Sequence, residues 1–598
     1  MMKVSDYVAQ FIADCKVRKV FLLPGGGCMH LVDSFGRCQD FQKICCLHEQ
    51  AAVIAVDAYS QYTNDIGVAL VTAGPGGTNA ITGVAGSWID SIPIMVISGQ
   101  AKRQDMIGTS GLRQKGIQEV DIVSMVKPIT KYAVTVMEPE SIRYHLERAY
   151  YLAKDGRQGP VWIDIPLDVQ GAMVDENRLM GFSPQESAVS INSLDDLVSK
   201  TIDLLNCAKR PVLLVGNGIR LSDAMPEFYQ LIKLLNIPVL TTWKAIDFLA
   251  EDHELFFGRP GSIGQRYANF VQQNADFLLV IGARLDLAQV GYYYEKMAHK
   301  AKKVIVDVDR VELDKLDNMH PDFKICTNAK DFINKINIQE GKIKLLDRKE
   351  WLGQCRIWKE KYPVVLDSYW QERNFVSTYV LVEVLSELLT NNDVIVPGSS
   401  GSCSEIFFQA FKVKLGQRIY NNPGLGSMGY GLPASMGACI TSGKRTITLI
   451  GDGGLQHNIQ ELETIRRLQL SLKIFILNNN GYASIRNTQR SHFHGNYICC
   501  DPSSGLTLPD ICAVAKAYKM PAMRIYNHDS IKEKVAEVLA AHGPIVCEVM
   551  VNPDLITQPR LSSEVKLDGS IVSKSLEDLW PFLDRDELKH EMLIGLDE

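Results

Sequence analysis

Two apolar runs joined by a helical segment constrain the fold of this chain most strongly. Arg445–Ile450 and Leu472–Leu477 are predicted to be buried strands, and Gln456–Leu470 between them an amphipathic helix. Such a strand–helix–strand unit makes its two strands parallel neighbours in one sheet. Asp452, in a Gly-Asp-Gly turn, follows the first strand, and Asn479, in a run of three asparagines, follows the second. We therefore expect both side chains at the carboxyl edge of one sheet, where open α/β sheets bind ligands.

The polar atoms of these two loops suit a hard cation together with a diphosphate. Mg²⁺ takes oxygen ligands, keeps several waters and completes its shell with phosphate oxygens. Asp452 offers a carboxylate, Asn479 an amide oxygen, and the adjacent backbone a carbonyl. Glycines beside Asp452 allow a diphosphate to approach the backbone, and the next helix presents its N-terminus to the anion. The alternative is an ordinary β-turn followed by an Asn-rich loop.

The first part of the chain repeats the same strand–turn–helix rhythm. From Lys19 onward, each apolar run ends in Gly/Pro turn residues and is followed by a predicted helix. His48-Glu49-Gln50 falls at one of these strand-to-helix junctions, with Glu49 opening an Ala-rich helix. A glutamate in a first helical turn is often only a partner of the helix dipole. The alternative is that Glu49 exchanges protons with a ligand.

Together these motifs resemble the thiamine-diphosphate-dependent enzymes, in particular the acetohydroxyacid (acetolactate) synthase branch. The likeness covers about residues 1–555. It is carried by motifs in the order and spacing of that branch: PGG at 24–26, HEQ at 48–50, GPGGTN at 74–79, GRQGPVWIDIPLDVQ at 156–170, GLGSMGYGLPA at 424–434, GDG at 451–453 and NN at 478–479.

The resemblance implies roles for individual residues. Asp452, Asn479 and the carbonyl of Gly481 would hold Mg²⁺ on the cofactor diphosphate. Glu49 would form a hydrogen bond with the aminopyrimidine ring of thiamine diphosphate. Met428 would lie beneath the V-shaped cofactor, and Gln118 would face the reacting carbon; their alternatives are core packing and a helix-surface glutamine. The cofactor-binding set implied by the resemblance is Pro24, Gly25, Gly26, Glu49, Gly76, Asn79, Gly426, Met428, Gly451, Asp452, Gly453, Gly454, Asn479, Gly481 and Tyr482.

A competing dinucleotide motif overlaps this set. Gly424, Gly426 and Gly429 fit G-x-G-x-x-G, and Asp452 follows at the distance of a ribose-binding acid. A true fingerprint follows a core strand directly, whereas here Asn421-Asn422-Pro423 intervenes after a short segment. A Rossmann oxidoreductase is therefore disfavoured.

The chain divides into three α/β units, and we predict three doubly wound parallel-sheet domains. These are 1–172, the pyrimidine-binding unit; 194–336, a Rossmann-like middle unit; and 373–553, the diphosphate- and Mg²⁺-binding unit. A mostly polar tail, 554–598, follows. In the family that this chain resembles, the cofactor lies between the first unit of one chain and the third unit of another. The resemblance therefore implies a homodimer or homotetramer.

The resemblance also implies FAD in the middle unit, without a redox role. Glycines and acids at strand ends suit a nucleotide's phosphate and ribose. The alternative is a structural domain with vestigial loops. The candidate FAD contacts are Gly216, Asn217, Gly218, Gly282, Ala283, Arg284, Asp307 and Asp309.

Composition restricts the partners and the compartment. The net charge is −6, so the sequence does not predict binding to nucleic acid. No apolar run approaches the roughly 20 residues that a membrane span requires. The 14 cysteines are scattered without a C-x-x-C pair, which favours reduced thiols and a cytoplasmic enzyme. The expected partner is a small-molecule 2-keto acid.

The predicted activity is that of an acetolactate-synthase-like carboligase, a transferase that decarboxylates pyruvate, in keeping with branched-chain amino acid biosynthesis. Departures from the family pattern limit the prediction of the acceptor. Ser484 and Thr488 stand near positions where biosynthetic members carry Met and Trp, which makes the channel more polar. Further candidates for contact with a charged or sugar-like acceptor are Arg486, Arg490, His492 and His494, whose alternative is a solvated loop.

The sequence offers three alternatives to that activity. One is transfer of the two-carbon unit to a nucleotide-linked keto-sugar, which a polar channel favours. Another is simple 2-keto acid decarboxylation. The third, a non-catalytic homologue, is disfavoured because Glu49, Asp452 and Asn479 are all present.

Overall fold

Three parallel sheets organise the chain, each built from consecutive strand–helix units. A computed structural model describes residues 1–184, 191–344, 346–565 and 571–595. Each sheet is covered by helices on both faces, so its strands are continuous apolar runs rather than alternating ones. The fold class predicted from the sequence is confirmed.

The first sheet has the strand order β3-β2-β4-β5-β7-β6, and every neighbouring pair is parallel. A short antiparallel pair, β1 with β8, closes this unit at its edge. The strands are β1 Met2–Lys3, β2 Lys19–Leu22, β3 Gln42–Cys45, β4 Gly67–Val71, β5 Ile94–Gln100, β6 Tyr132–Thr135, β7 Val161–Pro166 and β8 Met173–Val174. The helices are α1 Val4–Asp14, α2 Met29–Arg37, α3 Glu49–Thr63, α4 Pro75–Ile89, α5 Ile122–Val126, α6 Ile142–Lys154 and α7 Leu167–Gly171.

The second sheet is parallel, with the order β10-β9-β11-β12-β13. Its strands are β9 Pro211–Val215, β10 Val239–Thr241, β11 Phe277–Ile281, β12 Lys302–Asp307 and β13 Phe323–Cys326. Its helices are α8 Ile191–Cys207, α9 Gly218–Leu221, α10 Met225–Leu235, α11 Arg266–Gln273, α12 Leu287–Val290, α13 Arg310–Asp314, α14 Ala329–Ile338 and α15 Lys349–Lys361.

The third sheet, β15-β14-β16-β17-β19-β18, is also parallel and repeats the topology of the first sheet. Its strands are β14 Val394–Pro397, β15 Arg418–Ile419, β16 Thr446–Gly451, β17 Leu472–Asn478, β18 Ala522–Ile525 and β19 Ile545–Met550. Its helices are α16 Thr378–Leu388, α17 Ser402–Ala410, α18 Gly431–Ser442, α19 Asp452–Gln456, α20 Glu461–Arg467, α21 Ala483–His492, α22 Ile511–Ala517 and α23 Ile531–Ala540.

One predicted helix is corrected by the structure. The single helix expected over Gln456–Leu470 is two helices, α19 and α20, separated by a turn at 457–460. The first begins at Asp452 itself, because the Gly-Asp-Gly turn leads directly from β16 into a helical turn. Periodicity located the apolar face of α20 and missed the earlier helix start, since the glycines there carry no periodic signal.

The segment after the third sheet returns to the middle unit. It contains β20 Ser563–Val565, β21 Ile571–Ser573 and α24 Arg585–Glu591. Leu576, Leu588 and Met592 are buried in the apolar core of the middle unit. The Trp358 Nε1–H of α15 donates to Glu591 at 2.5 Å. This docking carries residues 555–563 past the carboxyl edge of the third sheet.

Among the described residues, no helix has the length and hydropathy that a membrane span requires.

Helices α3 and α18 pack the first unit against the third within one chain. Gly437 of α18 is the point of closest approach, because a Cβ there would lie 2.4 Å from the carbonyl oxygen of Ala55 in α3. Glycine is therefore required by the helix contact rather than by its own backbone conformation.

We expect Gly437→Ala to destabilise the protein by about 1–3 kcal/mol, because the methyl group would push two buried helices apart. Gly353→Ala in α15 is the matched control: it also places a methyl on a helical glycine, but with no heavy atom within 4 Å, and helix propensity favours alanine there. Thermal unfolding of both variants measures the difference. Equal melting temperatures would contradict the close contact of α3 and α18.

Candidate active site

Asp452 lies at the carboxyl end of β16, in the middle of the third sheet, and is only 1% exposed. The Gly453 N–H donates to its Oδ1 at 2.8 Å, and the Gly481 N–H donates to its Oδ2 at 3.1 Å. Burial raises the pKa of the Asp452 carboxyl to about 6, although these backbone hydrogen bonds act in the opposite direction. A bound cation would favour the ionised form of this buried acid.

Asn479 provides the second polar atom, at the end of the neighbouring strand β17. Its side chain is 9% exposed, and its Oδ1 is buried without a hydrogen-bond donor among the described residues. A buried, unpaired amide oxygen is costly unless a ligand supplies the missing interaction. With the Asp452 carboxylate and the adjacent carbonyl of Gly481, it forms an all-oxygen donor set that fits Mg²⁺.

The loop that carries Asn479 is fixed from both sides. Gly481 has φ +135°, and a Cβ there would lie 2.2 Å from the carbonyl oxygen of Cys500, so only glycine fits. Arg486 donates to the Asn479 carbonyl at 2.9 Å and lies 3.9 Å from the Asp501 carboxylate. From the sequence, Arg486 is expected either to contact an acceptor or to lie in a solvated loop. It is instead 7% exposed and supports the loop.

A cavity of about 870 Å³ opens in front of these atoms. Met428 lies on its wall, and its Cε would be 3.6 Å from a Cβ on Gly453, so the methionine faces the Gly-Asp-Gly turn. The polar residues of α21 that line this cavity are Ser484, Asn487, Thr488, Ser491 and His492. Arg490 is ion-paired with Asp554 at 3.0 Å, and His494 lies exposed in the left-handed region at φ +53°.

The remaining predicted cofactor residues of the third unit lie on the same wall. Gly426 occupies a turn at φ +63°, in an irregular segment that runs up to α18. The ring of Tyr482 covers Gly453, because a Cβ there would lie 2.3 Å from it. The residues of the predicted set that line the cavity are Gly426, Met428, Gly451, Asp452, Gly453, Gly454, Asn479, Gly481 and Tyr482.

Glu49 lies at the carboxyl edge of the first sheet, after its outermost strand. It follows β3 as the first residue of α3 and is 6% exposed. Asn79 donates from Nδ2 to its Oε2 at 3.0 Å, while Oε1 lies beside Gly76, 3.5 Å from where a Cβ would be. Pro24, Gly25 and Gly26 follow the adjacent strand β2, and Thr72 lies against both Gly25 and Gly76. These residues therefore form one cluster at the carboxyl edge of the first sheet.

The two clusters do not meet within one chain. Among the residues that the structure describes, no residue of 1–172 lines the cavity that contains Asp452. The first unit is nevertheless close to the third, since Glu461 of α20 accepts from the backbone N–H groups of Leu47 at 2.8 Å and His48 at 3.1 Å. Glu461 thereby anchors the segment that leads into Glu49.

Gln118 is neither helical nor buried. It lies in a turn at φ +56°, and its carbonyl oxygen would be 2.3 Å from a Cβ on Gly74, which itself has φ +62°. The turn is fixed by Glu119, which is buried and accepts from the backbone N–H groups of Lys115 at 2.9 Å and Gly116 at 3.0 Å. The side chain of Gln118 is exposed at the edge of the GPGG loop.

A second cavity, of about 560 Å³, lies between the middle unit and its neighbours. Gly218 and Gly282 form its floor, where a Cβ on Gly218 would lie 2.7 Å from the Gly282 Cα. Asp309 binds Arg157 at 3.0 Å, and Gly216 packs on the carbonyl of Gly282. The predicted FAD contacts that line the cavity are Asn217, Gly218, Gly282, Ala283, Arg284 and Asp307.

Sequence reasoning missed residues that reach the site from elsewhere in the fold. Tyr292 of the middle unit, and Arg560 and Leu561 of the C-terminal segment, line both cavities. No local pattern marks them, because their position depends on how the tail docks onto the middle unit. Glu461 could have been noticed in the sequence, because it is an acidic residue on the apolar face of a predicted amphipathic helix. This signal is weak.

Comparisons with known proteins agree with this geometry. Residues 2–125 match the N-terminal TPP binding domain of thiamine pyrophosphate enzymes, 198–336 their central domain, and 399–549 their C-terminal TPP binding domain. The chain belongs to the acetolactate synthase-like branch of the thiamine pyrophosphate enzymes.

Relatives from plants and bacteria cover nearly the whole chain. Acetolactate synthase 2, chloroplastic, of Nicotiana tabacum is 31% identical over 92% of this chain and 82% of its own length. The probable acetolactate synthase 2, chloroplastic, of Oryza sativa subsp. japonica is 32% identical, covering 92% and 83%. The acetolactate synthase large subunit of Lactococcus lactis subsp. lactis (strain IL1403) is 28% identical, covering 95% and 96%.

We expect Asp452→Ala to weaken thiamine diphosphate binding in the presence of Mg²⁺ by at least about tenfold, because the cation would lose its anionic ligand. Titration calorimetry with Mg²⁺ and with a chelator measures the metal-dependent part of the affinity. Asp554→Ala is the control, since this exposed acid pairs with Arg490 and does not line the cavity. An unchanged Mg²⁺ dependence in Asp452→Ala would exclude the metal site.

Proposed function

We propose that this enzyme decarboxylates pyruvate and joins the remaining two-carbon unit to a second 2-keto acid, as an acetolactate synthase-like carboligase. The observation that carries the proposal is the pair of clusters described above. A buried acid lies at the carboxyl edge of each of two topologically identical sheets, Glu49 after the outermost strand β3 and Asp452 after the central strand β16. Relatives named acetolactate synthase, which this chain resembles over more than nine-tenths of its length, support the same activity.

The residues of the third unit would bind the cofactor. Asp452, Asn479 and the Gly481 carbonyl would hold Mg²⁺ against the diphosphate, since the first two side chains are buried and the Asn479 Oδ1 has no donor among the described residues. Thiamine diphosphate, when bound, supplies the nucleophilic carbon and the electron sink that decarboxylation of a 2-keto acid requires. Met428 would support the cofactor from below with a polarizable, apolar side chain.

Glu49 would move the proton that activates the cofactor. Asn79 holds Oε2 of the carboxylate at 3.0 Å, which fixes the orientation of Oε1 beside Gly76. A positioned carboxylate of this kind acts as a general acid or base toward a ring nitrogen. Gln118, on the exposed turn next to the GPGG loop, would orient the substrate.

A second copy of the chain would complete the site, which makes a homodimer the smallest active unit. The cavity with Asp452 has no wall from residues 1–172 among the described residues, so Glu49 would reach it from the partner subunit. Exposed apolar side chains near Gln118, namely Leu112 at 55% and Ile117 at 91%, suit burial in such an interface.

A specific observation favours a second acceptor class. Ser484, Thr488 and His492 give the cavity wall hydroxyl and imidazole groups, which suit a hydroxylated acceptor such as a nucleotide-linked keto-sugar.

All 14 cysteines are free thiols, which supports a reducing compartment such as the cytoplasm.

Labelled pyruvate tests the proposal directly. We expect purified enzyme with thiamine diphosphate and Mg²⁺ to release CO₂ and form acetolactate, and Glu49→Gln to lose at least about a hundredfold in turnover, because an amide cannot exchange the proton. Glu49→Asp, which keeps the carboxylate, should retain more activity than Glu49→Gln. Normal turnover in Glu49→Gln would refute the role of Glu49, and CO₂ release without acetolactate would favour the keto-sugar acceptor.

We also propose that the cavity of about 560 Å³ binds FAD. Gly218 and Gly282 allow close approach of a phosphate to the backbone, and Asp307, at the end of β12, suits a ribose hydroxyl. We expect the protein purified with FAD present to retain flavin absorbance in proportion to chain concentration. A colourless preparation with full carboligase activity would refute the proposal that this enzyme binds FAD.

A further inference from the structure

The wall between the two cavities contains an arginine that the function described so far does not use. Arg560 lines both the cavity of about 870 Å³ and that of about 560 Å³, together with Tyr292 and Leu561. Its backbone is fixed, since its N–H donates to the Trp580 carbonyl at 2.9 Å and its carbonyl accepts from the Trp580 N–H at 2.8 Å. The side chain is half-buried.

The other basic residues on these walls already have acidic partners. Lys154 pairs with Asp65 at 2.7 Å, Arg157 with Asp309 at 3.0 Å, Lys244 with Asp90 at 3.5 Å, and Arg284 with Glu312 at 3.5 Å. Within the described part of the chain, the guanidinium of Arg560 has neither an acidic partner within ion-pair distance nor a hydrogen-bond acceptor. A half-buried guanidinium without an acceptor suits an anionic ligand.

Arg560 is also the sole arginine or lysine among the described residues that line the larger cavity. Two acidic residues line the same wall: Asp452, bonded to backbone N–H groups, and Glu405, which accepts from the Thr557 hydroxyl at 2.5 Å. Both are therefore engaged elsewhere. An anionic substrate that enters this cavity meets one permanent positive side chain on its described wall.

The two 2-keto acids of the proposed reaction place different demands on such a cation. The donor loses its carboxylate as CO₂, and a strong ion pair to that group would stabilise the ground state more than the transition state. The acceptor keeps its carboxylate: its carbonyl carbon gains the new C–C bond, its carbonyl oxygen gains a proton, and its carboxylate is unchanged. A bidentate guanidinium is therefore suited to the acceptor.

We propose that Arg560 binds the carboxylate of the acceptor 2-keto acid and so determines which acceptor the enzyme uses. This inference rests on the proposed carboligase function. It assigns the choice of acceptor to the C-terminal segment, which the docking of 571–595 on the middle unit holds in the wall of the larger cavity.

The test compares a charged acceptor with a neutral one at saturating labelled pyruvate. Arg560→Gln should lower kcat/KM for 2-ketobutyrate relative to that for acetaldehyde by roughly ten- to a hundredfold, as expected for loss of one charge-assisted hydrogen-bonded pair. Arg560→Lys should restore part of this ratio, because it keeps the charge and loses the planar fork. Arg585→Gln is the matched control, since Arg585 belongs to the same C-terminal segment, is paired with Asp578 at 2.8 Å and lines neither cavity; its ratio should equal that of the wild type.

Two binding measurements keep the inference separate from the proposed function. The affinity of the cofactor-loaded protein for oxamate, measured by calorimetry, should fall in Arg560→Gln even if no carboligation product is detected in the wild type. The affinity for FAD should be the same in the wild type and Arg560→Gln. An unchanged acceptor ratio and oxamate affinity would overturn the inference, and a loss confined to FAD affinity would assign Arg560 to the neighbouring cavity instead.

Discussion

The buried carboxylate of Asp452 is the interaction on which the third unit depends. It accepts hydrogen bonds from Gly453 in its own turn and from Gly481 after the next strand, so one side chain ties the ends of β16 and β17 together. Those bonds compensate only part of the cost of burying the acid, and its pKa is raised to about 6. The Oδ1 of Asn479, which has no donor within the described ranges of the chain, lies in the adjacent loop. A cation bound at the proposed site would satisfy both groups at once.

The same topology serves two kinds of chemistry in the first and third sheets. In each, the loops after the strands bring small residues and one acid to the carboxyl edge, although Glu49 follows the outermost strand β3 and Asp452 the central strand β16. Around Glu49 the partners are neutral, an amide from Asn79 and the backbone of Gly76, which suits proton exchange. Around Asp452 they are backbone N–H groups and the Oδ1 of Asn479, which has no hydrogen-bond donor among the described residues; this environment suits a metal. Local environment, and not fold, distinguishes the two acids.

The middle unit contributes shape and charge to the region between the sheets. Its two basic side chains on the smaller cavity, Lys244 and Arg284, are paired with Asp90 and Glu312, which fixes their positions. The C-terminal segment uses this unit as its support, through Trp358, Glu591 and the apolar side chains of the tail. Residues far apart in sequence therefore share one wall of the site.

The sequence by itself determined the three sheets, the strand ends that carry Asp452 and Asn479, and the helix that begins at Glu49. Apolar runs and Gly/Pro turns are local signals, so they could be read directly. Local signals did not distinguish one helix from two between β16 and β17, nor a loop support from an acceptor contact at Arg486. Only the tertiary structure decided that Glu49 and Asp452 lie in separate clusters and that Arg560 faces both cavities. Those facts depend on how α3 packs on α18 and how the tail docks, and such long-range packing leaves no periodic trace along the chain.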